Sequence, residues 1–150
     1  MNYIYGTWSV LSAFEAAGVS DQSPAVRRAV QWLLSIQNAD GGWGENGESY
    51  DIERFGHRPA SSRPSQTAWA LLALMAAGEA RHPAVERGMG YLIRTQSATA
   101  FWPEPEFTAT GFPRVFYLRY HGYAKFFPVW ALARFRNLLR AQEPMLRIGT

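Results

Sequence analysis

The sequence holds no cysteine and a single lysine, Lys125, among its 150 residues. Without thiols there are no disulfides, no thiolate metal sites and no cysteine nucleophile. With lysine almost gone, positive charge rests on 14 arginines, and 15 basic against 12 acidic residues leave a formal net charge of only +3. The arginines are scattered rather than run together, so no nucleic-acid partner is expected. Long apolar runs are missing as well: the longest, residues 68–77, is half of the ~20 needed to cross a bilayer. No charged segment leading into an apolar one opens the chain, so no secretory signal is expected. A glycine-rich phosphate loop is absent, and the serines lack the His and Asp company that would make a nucleophile. The histidines His57, His82 and His121 show no i,i+4 pairing, and a zinc site built from Asp, Cys and His has no cysteine to draw on. No metal is expected.

What the chain has in quantity is aromatic rings: 6 Trp, 7 Tyr and 9 Phe, 15% of its residues. Rings supply apolar bulk together with electron-rich faces, so they serve either packing or the handling of positive charge. The chain also repeats itself. Arg28-Ala-Val-Gln-Trp32-Leu-Leu34-Ser-Ile-Gln37, followed by Trp43 and Glu45, returns 59 residues later as Arg87-Gly-Met-Gly-Tyr91-Leu-Ile93-Arg-Thr-Gln96, followed by Trp102 and Glu104. Upstream, Pro24-Ala-Val26 answers Pro83-Ala-Val85, and the segment from Thr7 to Gly18 answers that from Thr67 to Gly78. Val129-Trp-Ala-Leu132 echoes Ala68-Trp-Ala-Leu71, which makes about two and a half repeats of some 60 residues.

Each repeat reads as two helices and a long loop. Residues 67–77 are rich in Ala, Leu and Met, strong helix formers, and Gly78 is placed to end the run. Pro83 suits a first helical turn, after which Val85, Met89, Leu92 and Ile93 recur at helical spacing. The same signals predict helices near 7–17, 24–36 and 127–141, a turn at Asp40-Gly-Gly42, and one polar loop over 44–64. Only 107–120 is ambiguous. Helical pairs that cannot bury their apolar faces alone stack on one another, so the expected class is all-α, an α/α array. On the last helix Arg134, Arg136 and Arg140 lie beside Phe126, Phe127 and Trp130. Such a helix either rests on an anionic membrane surface or is buried with one solvated edge.

The element shared by the repeats is Gln, a short turn, then Trp. A Gln near a helix end can bond backbone groups of the turn, and a Trp beyond it can lie over that amide and fasten the loop. The pair Gln37-Asn-Ala-Asp-Gly-Gly-Trp43 and Gln96 with Trp102 resembles the QW repeat of triterpene cyclases. Tyr3-Ile-Tyr5-Gly-Thr7 and Pro64-Ser-Gln-Thr-Ala-Trp69-Ala-Leu resemble further blocks of that family. Thr110-Gly-Phe112-Pro-Arg-Val-Phe116-Tyr-Leu-Arg-Tyr120 resembles the carboxy-terminal block of squalene–hopene cyclases. The resemblance runs from Asn2 to about Arg140.

It implies that residues 1–150 are a single segment of about five helices, the carboxy-terminal part of a catalytic (α/α)6 barrel or toroid. It implies an enzyme that cyclises a linear triterpene, squalene or a similar polyprene, through carbocations, without metal or organic cofactor. The partners implied are the rest of the cyclase chain and a membrane surface, with the protein peripheral or monotopic on the cytoplasmic side. Phe112, Phe116, Tyr120 and Tyr123 match rings that stabilise late cations, Leu118 a residue that helps fold the substrate, and Tyr5 a tyrosine near the catalytic acid. Gln37, Trp43, Gln96 and Trp102 are the structural pairs. Two departures stand out. Ala100-Phe-Trp102 replaces Gly-x-Trp, which predicts a differently shaped second turn. The family's Asp-x-Asp-Asp acid motif is absent, and the nearest acidic group, Glu48, Asp51 and Glu53, reads as a solvated loop. No catalytic residue is therefore expected in this chain, the acid is expected upstream, and the chain alone is expected to be inactive. Another class II terpene cyclase, or a noncatalytic α/α module that binds lipid or a partner, are the alternatives.

Overall fold

A computed structural model describes residues 2–50, 56–107, 109–112 and 116–146. Its frame is five α-helices: α1 (Tyr3–Ala16), α2 (Pro24–Ser35), α3 (Pro64–Ala76), α4 (Pro83–Thr95) and α5 (Tyr123–Leu146). The boundaries have local causes. Asn2 accepts the Tyr5 N–H through its side chain and starts α1. Proline opens α2, α3 and α4, where its missing N–H costs nothing. His82 Nδ1 accepts the Ala84 N–H at 3.1 Å and caps α4. Gly18 and Gly78, at φ of +69° and +80°, turn the chain away from α1 and α3.

The run that looks apolar on every side, α3, is buried from Pro64 to Met75, as a helix without a polar face must be. It is the centre of the molecule. The first helices of successive repeats pack side by side, α1 against α3 and α3 against α5, while α4 lies on α3 and α2 lies on both α1 and α3. The second helices are amphipathic: α2 buries Val26, Val30 and Leu33, and α4 buries Val85, Met89 and Leu92. Ile93, which shares the helical spacing of that face, points outward. Gly88 lets α4 approach closely, since a Cβ there would stand 2.7 Å from Leu71 Cδ2 and 2.8 Å from Trp43 Cζ3.

In the long polar loop a 3-10 turn forms at Gly47–Tyr50, and Glu45 bridges to Pro59. Glu48 is exposed there; Asp51 and Glu53 lie outside the described residues. The ambiguous segment contains the one sheet among the described residues. Strand β1 (Ala109–Phe112) pairs antiparallel with β2 (Phe116–Leu118), matching Ala109 to Leu118, Thr110 to Tyr117 and Phe112 to Phe116, with an irregularity between Thr110 and Phe112. The architecture is otherwise helical, a segment of an α/α toroid. No described helix is long and apolar enough to cross a membrane.

Candidate functional site

The two Gln–Trp elements build the same corner. After α2, the Gln37 amide donates to the Gly41 carbonyl at 2.8 Å; after α4, the Gln96 amide donates to the Ala100 carbonyl at 3.1 Å. Trp43 is wholly buried, and its indole N–H reaches back to the Leu33 carbonyl at 2.8 Å; Trp102 does the same to Leu92 at 2.8 Å. The first corner is also tied to the next repeat, because Gln37 donates to the Ala84 carbonyl at 2.8 Å and receives a hydrogen bond from Arg87.

The expectation of a different second turn is overturned. Asn38 N–H to Gly42 O and Gly41 N–H to Asn38 O in the first corner become Ser97 N–H to Phe101 O and Ala100 N–H to Ser97 O in the second. The same turn forms because Ala100 takes a φ of +62°, the left-handed region that Gly41 occupies at +92°. Backbone hydrogen bonds outweigh the Cβ crowding that this conformation imposes.

On the inner helices the rings gather. Tyr5 of α1 meets Trp8 at 5.3 Å and Trp69 of α3 at 5.0 Å between ring centroids. Trp69 meets Tyr123 at 5.6 Å and Phe127 at 5.5 Å on α5. All four contacts are edge to face, the arrangement that sets the positive rim of one ring against the negative face of another. Tyr120 then stacks on Tyr123 at 4.8 Å. Trp8 adds edge contacts to Phe127 at 5.3 Å and Trp130 at 5.7 Å. Trp69 is the hub and is sealed from solvent, whereas Tyr5 is 38% and Tyr120 46% exposed. The outer rings of this wall therefore offer surface, and the hub holds them in place. Burial, reinforced by the neighbouring Tyr5 and Tyr120, pushes the Tyr123 phenol up. It stays neutral and presents a ring without an anionic oxygen.

Of the residues singled out from sequence, Tyr5, Tyr120 and Tyr123 are thus brought together through Trp69. The hairpin carries the other three. Register pairs Phe112 with Phe116, and Leu118, two residues on from Phe116, falls on the same strand face. Phe116 and Leu118 are 44% and 37% exposed, and β2 runs on directly to Tyr120. Trp69, Phe127, Trp8 and Trp130 were not singled out as site residues. Their signal is spacing: Tyr123, Phe127 and Trp130 stand at i, i+4 and i+7 of α5, one helix face. Tyr120 also borders a 540 Å³ cavity between Trp102, Glu104, Arg119 and Lys125, whose charged rim sets it apart from the ring wall. Among the described residues no group of three or more His, Asp and Glu is placed to hold a metal ion.

Residues 1–137 match the family model described as the squalene-hopene cyclase C-terminal domain. The chain is 61% identical over 149 residues to the squalene–hopene cyclase of Bradyrhizobium diazoefficiens, covering 99% of this chain and 23% of that protein. It is 64% identical over 138 residues to the probable squalene–hopene cyclase of Sinorhizobium fredii, covering 92% and 21%. A more distant relative, mouse lanosterol synthase, is 41% identical over 143 residues, 91% and 19%. The chain spans less than a quarter of the length of these curated relatives. It belongs to the squalene–hopene cyclase C-terminal domain family.

Proposed function

We propose that this chain forms one wall of the reaction chamber of a squalene–hopene-type cyclase, and that the wall steers carbocations formed when a linear triterpene is protonated and folds. The observation that carries the reading is the continuous row of rings from α1, α3 and α5, with Trp69 buried behind exposed Tyr5 and Tyr120. A migrating carbocation is quenched by any good nucleophile. Ring faces attract it without attacking it, and a desolvated cation–π contact contributes about 2 kcal/mol. An apolar wall also keeps water from the intermediates until the last is reached. In this scheme Phe112 and Phe116 serve the late cations, with Tyr120 and Tyr123 beside them, Leu118 shapes the fold of the substrate, and Tyr5 stands toward the acid. The acid itself belongs to another segment, since no Asp-x-Asp-Asp occurs here.

A segment exchange tests the proposal. Replacing the matching segment of the Bradyrhizobium squalene–hopene cyclase with the residues of this chain that align to it is expected to leave an enzyme that converts squalene to the same product. The 150-residue chain alone is expected to convert none. A well-folded chimera without cyclised product would sink the proposal, and a cyclised product from the chain alone would show that it carries an acid of its own.

A further inference from the structure

Each repeat ends its Gln–Trp corner with a glutamate two residues beyond the Trp, Glu45 after Trp43 and Glu104 after Trp102. Both side chains turn back by some 40 residues to the start of the inner helix of their own repeat. Glu45 is 3% exposed and accepts the Ile4 N–H at 3.1 Å through Oε1 and the Tyr3 N–H at 3.2 Å through Oε2. Glu104 accepts the Ser65 N–H at 2.9 Å through Oε2 and the Ser65 hydroxyl at 2.7 Å through Oε1. The first turn of a helix leaves its N–H groups without partners. On α3, Pro64 has no N–H and Arg63 makes no side-chain cap, so the distant Glu104 supplies what the local sequence withholds.

The two helix starts are also tied to each other. Gln66 on α3 accepts the Glu45 N–H at 2.8 Å and donates to the Glu45 carbonyl at 3.1 Å, and Arg63 donates to that carbonyl at 2.7 Å. An unbroken path therefore runs from Glu104 through Ser65 and Gln66 to Glu45 and on to Tyr3 and Ile4. Its members are largely sealed from water: Ser65 is 0% and Gln66 2% exposed. Tyr5 follows Ile4 directly, and Trp69 stands one turn beyond Ser65. These are the two rings that α1 and α3 contribute to the central edge-to-face contact, 5.0 Å apart at 81°.

We propose that Glu45 and Glu104 are positioning residues that act through the first turns of α1 and α3 to set the Tyr5–Trp69 contact, and with it the shape of the ring wall. Both carboxylates act through the helix-start groups that they bind. As for the consequence for products, the inference rests on the reading of that wall as the cation-steering surface. A ring displaced by about 1 Å loses much of its hold on one intermediate, and misplacement on that scale costs up to 100-fold in rate elsewhere in catalysis.

The test has two readouts in the protein as its gene encodes it. The first is the near-ultraviolet circular dichroism of the Tyr5–Trp69 pair, identified as the part of the spectrum that both Trp69→Phe and Tyr5→Phe remove. Glu45→Ala and Glu104→Ala are expected to lose at least half of it at a temperature where far-ultraviolet dichroism shows the helices intact. Glu45→Gln, which keeps one acceptor oxygen, is expected to recover most of it. Val26→Ala, a cavity in the core face of α2 that leaves both carboxylates in place, is expected to keep it. An unchanged pair signal in both alanine variants overturns the proposal. Should those variants fail to fold, Glu45→Asp, one methylene too short to reach α1, is read instead, and an unchanged signal again overturns it. The second readout is the product mixture from squalene, in which the ratio of early-terminated to fully cyclised product is expected to rise about tenfold in Glu45→Ala but not in Val26→Ala. A pair signal that moves while the products stay fixed supports the positioning role and overturns the reading of the rings as a cation-steering wall.

Discussion

Ala100 stands where Gly41 stands one repeat earlier, and both have positive φ, +62° and +92°. The left-handed conformation costs an L-residue about 1–2 kcal/mol, of which glycine returns part through its freedom in the unfolded chain. Ala100→Gly is therefore expected to stabilise by roughly 0.5–1 kcal/mol, a rise in Tm of about 2 °C. Gly41→Ala should do the opposite and more, because its Cβ would also stand 2.6 Å from the Arg87 carbonyl oxygen. A calorimetric Tm that falls in Ala100→Gly would show that the second corner is not strained.

The bond from the Trp43 indole to the Leu33 carbonyl predicts a different kind of loss. Trp43→Phe keeps a ring in the buried site but leaves the Leu33 carbonyl with only the longer bond from the Ile36 N–H, at 3.4 Å, at a cost of about 1 kcal/mol. The midpoint of urea unfolding should drop accordingly with an unchanged slope. Trp43→Ala adds a cavity and should lose about 3–5 kcal/mol. Equal midpoints for the wild type and Trp43→Phe would mean that the ring alone fastens the corner.

Repetition made most of the frame legible. Two copies of Gln, turn and Trp, 59 residues apart, locate α2 and α4 and their corners, and the apolar run of α3 shows a buried helix directly. The sequence places the helix starts near Thr7 and Thr67, whereas α1 begins at Tyr3 and α3 at Pro64. Asn2 and Pro64 are local signals for those earlier starts, but the partners of the first N–H groups, Glu45 and Glu104, lie some 40 residues away; the repeat marks both glutamates without showing which backbone groups they meet. The hairpin was equally hidden, because Pro113 and Gly111 interrupt both periods over a span too short to show either. Within the candidate site, Tyr5, Tyr120 and Tyr123 could be named individually. That Trp69 joins them is a property of three helices meeting, which a one-dimensional pattern does not contain.

Acidity offers a third check. Burial, only partly offset by the Tyr3 and Ile4 N–H groups and by Arg63, pushes the Glu45 carboxyl up from 4.5 to about 7, and burial raises Glu104 as well. Between about pH 4.5 and 7 the folded protein holds a proton that the unfolded chain has already released, so stability declines as pH rises through that window. At about 1.4 kcal/mol per pKa unit, Glu45 alone accounts for roughly 3 kcal/mol between the two ends. Tm is expected to be higher at pH 5 than at pH 8, and Glu45→Gln should flatten most of the difference. A wild-type Tm that climbs from pH 5 to pH 8 would contradict the assignment.

The last expectation concerns Phe116, in an enzyme assembled with this segment. Its ring is 44% exposed on β2, opposite Phe112 in register, so it is not a packing residue of the helical core. Truncating a fully buried phenylalanine costs about 3–5 kcal/mol of stability; a half-exposed one should cost well under half of that. If the ring stabilises a late cation, Phe116→Ala should release partly cyclised products while Tm moves by only a few degrees. Losing about 2 kcal/mol at one intermediate slows the next ring closure roughly 30-fold, which lets deprotonation or water capture compete. Fluorination separates electrostatics from shape, since fluorine drains the negative face of the ring and largely preserves its outline. Successive fluorines on Phe116 should shift the mixture stepwise toward early-terminated products. A product pattern that responds to Phe116→Ala but is indifferent to fluorine would assign the ring to steric guidance and remove its cation-stabilising role.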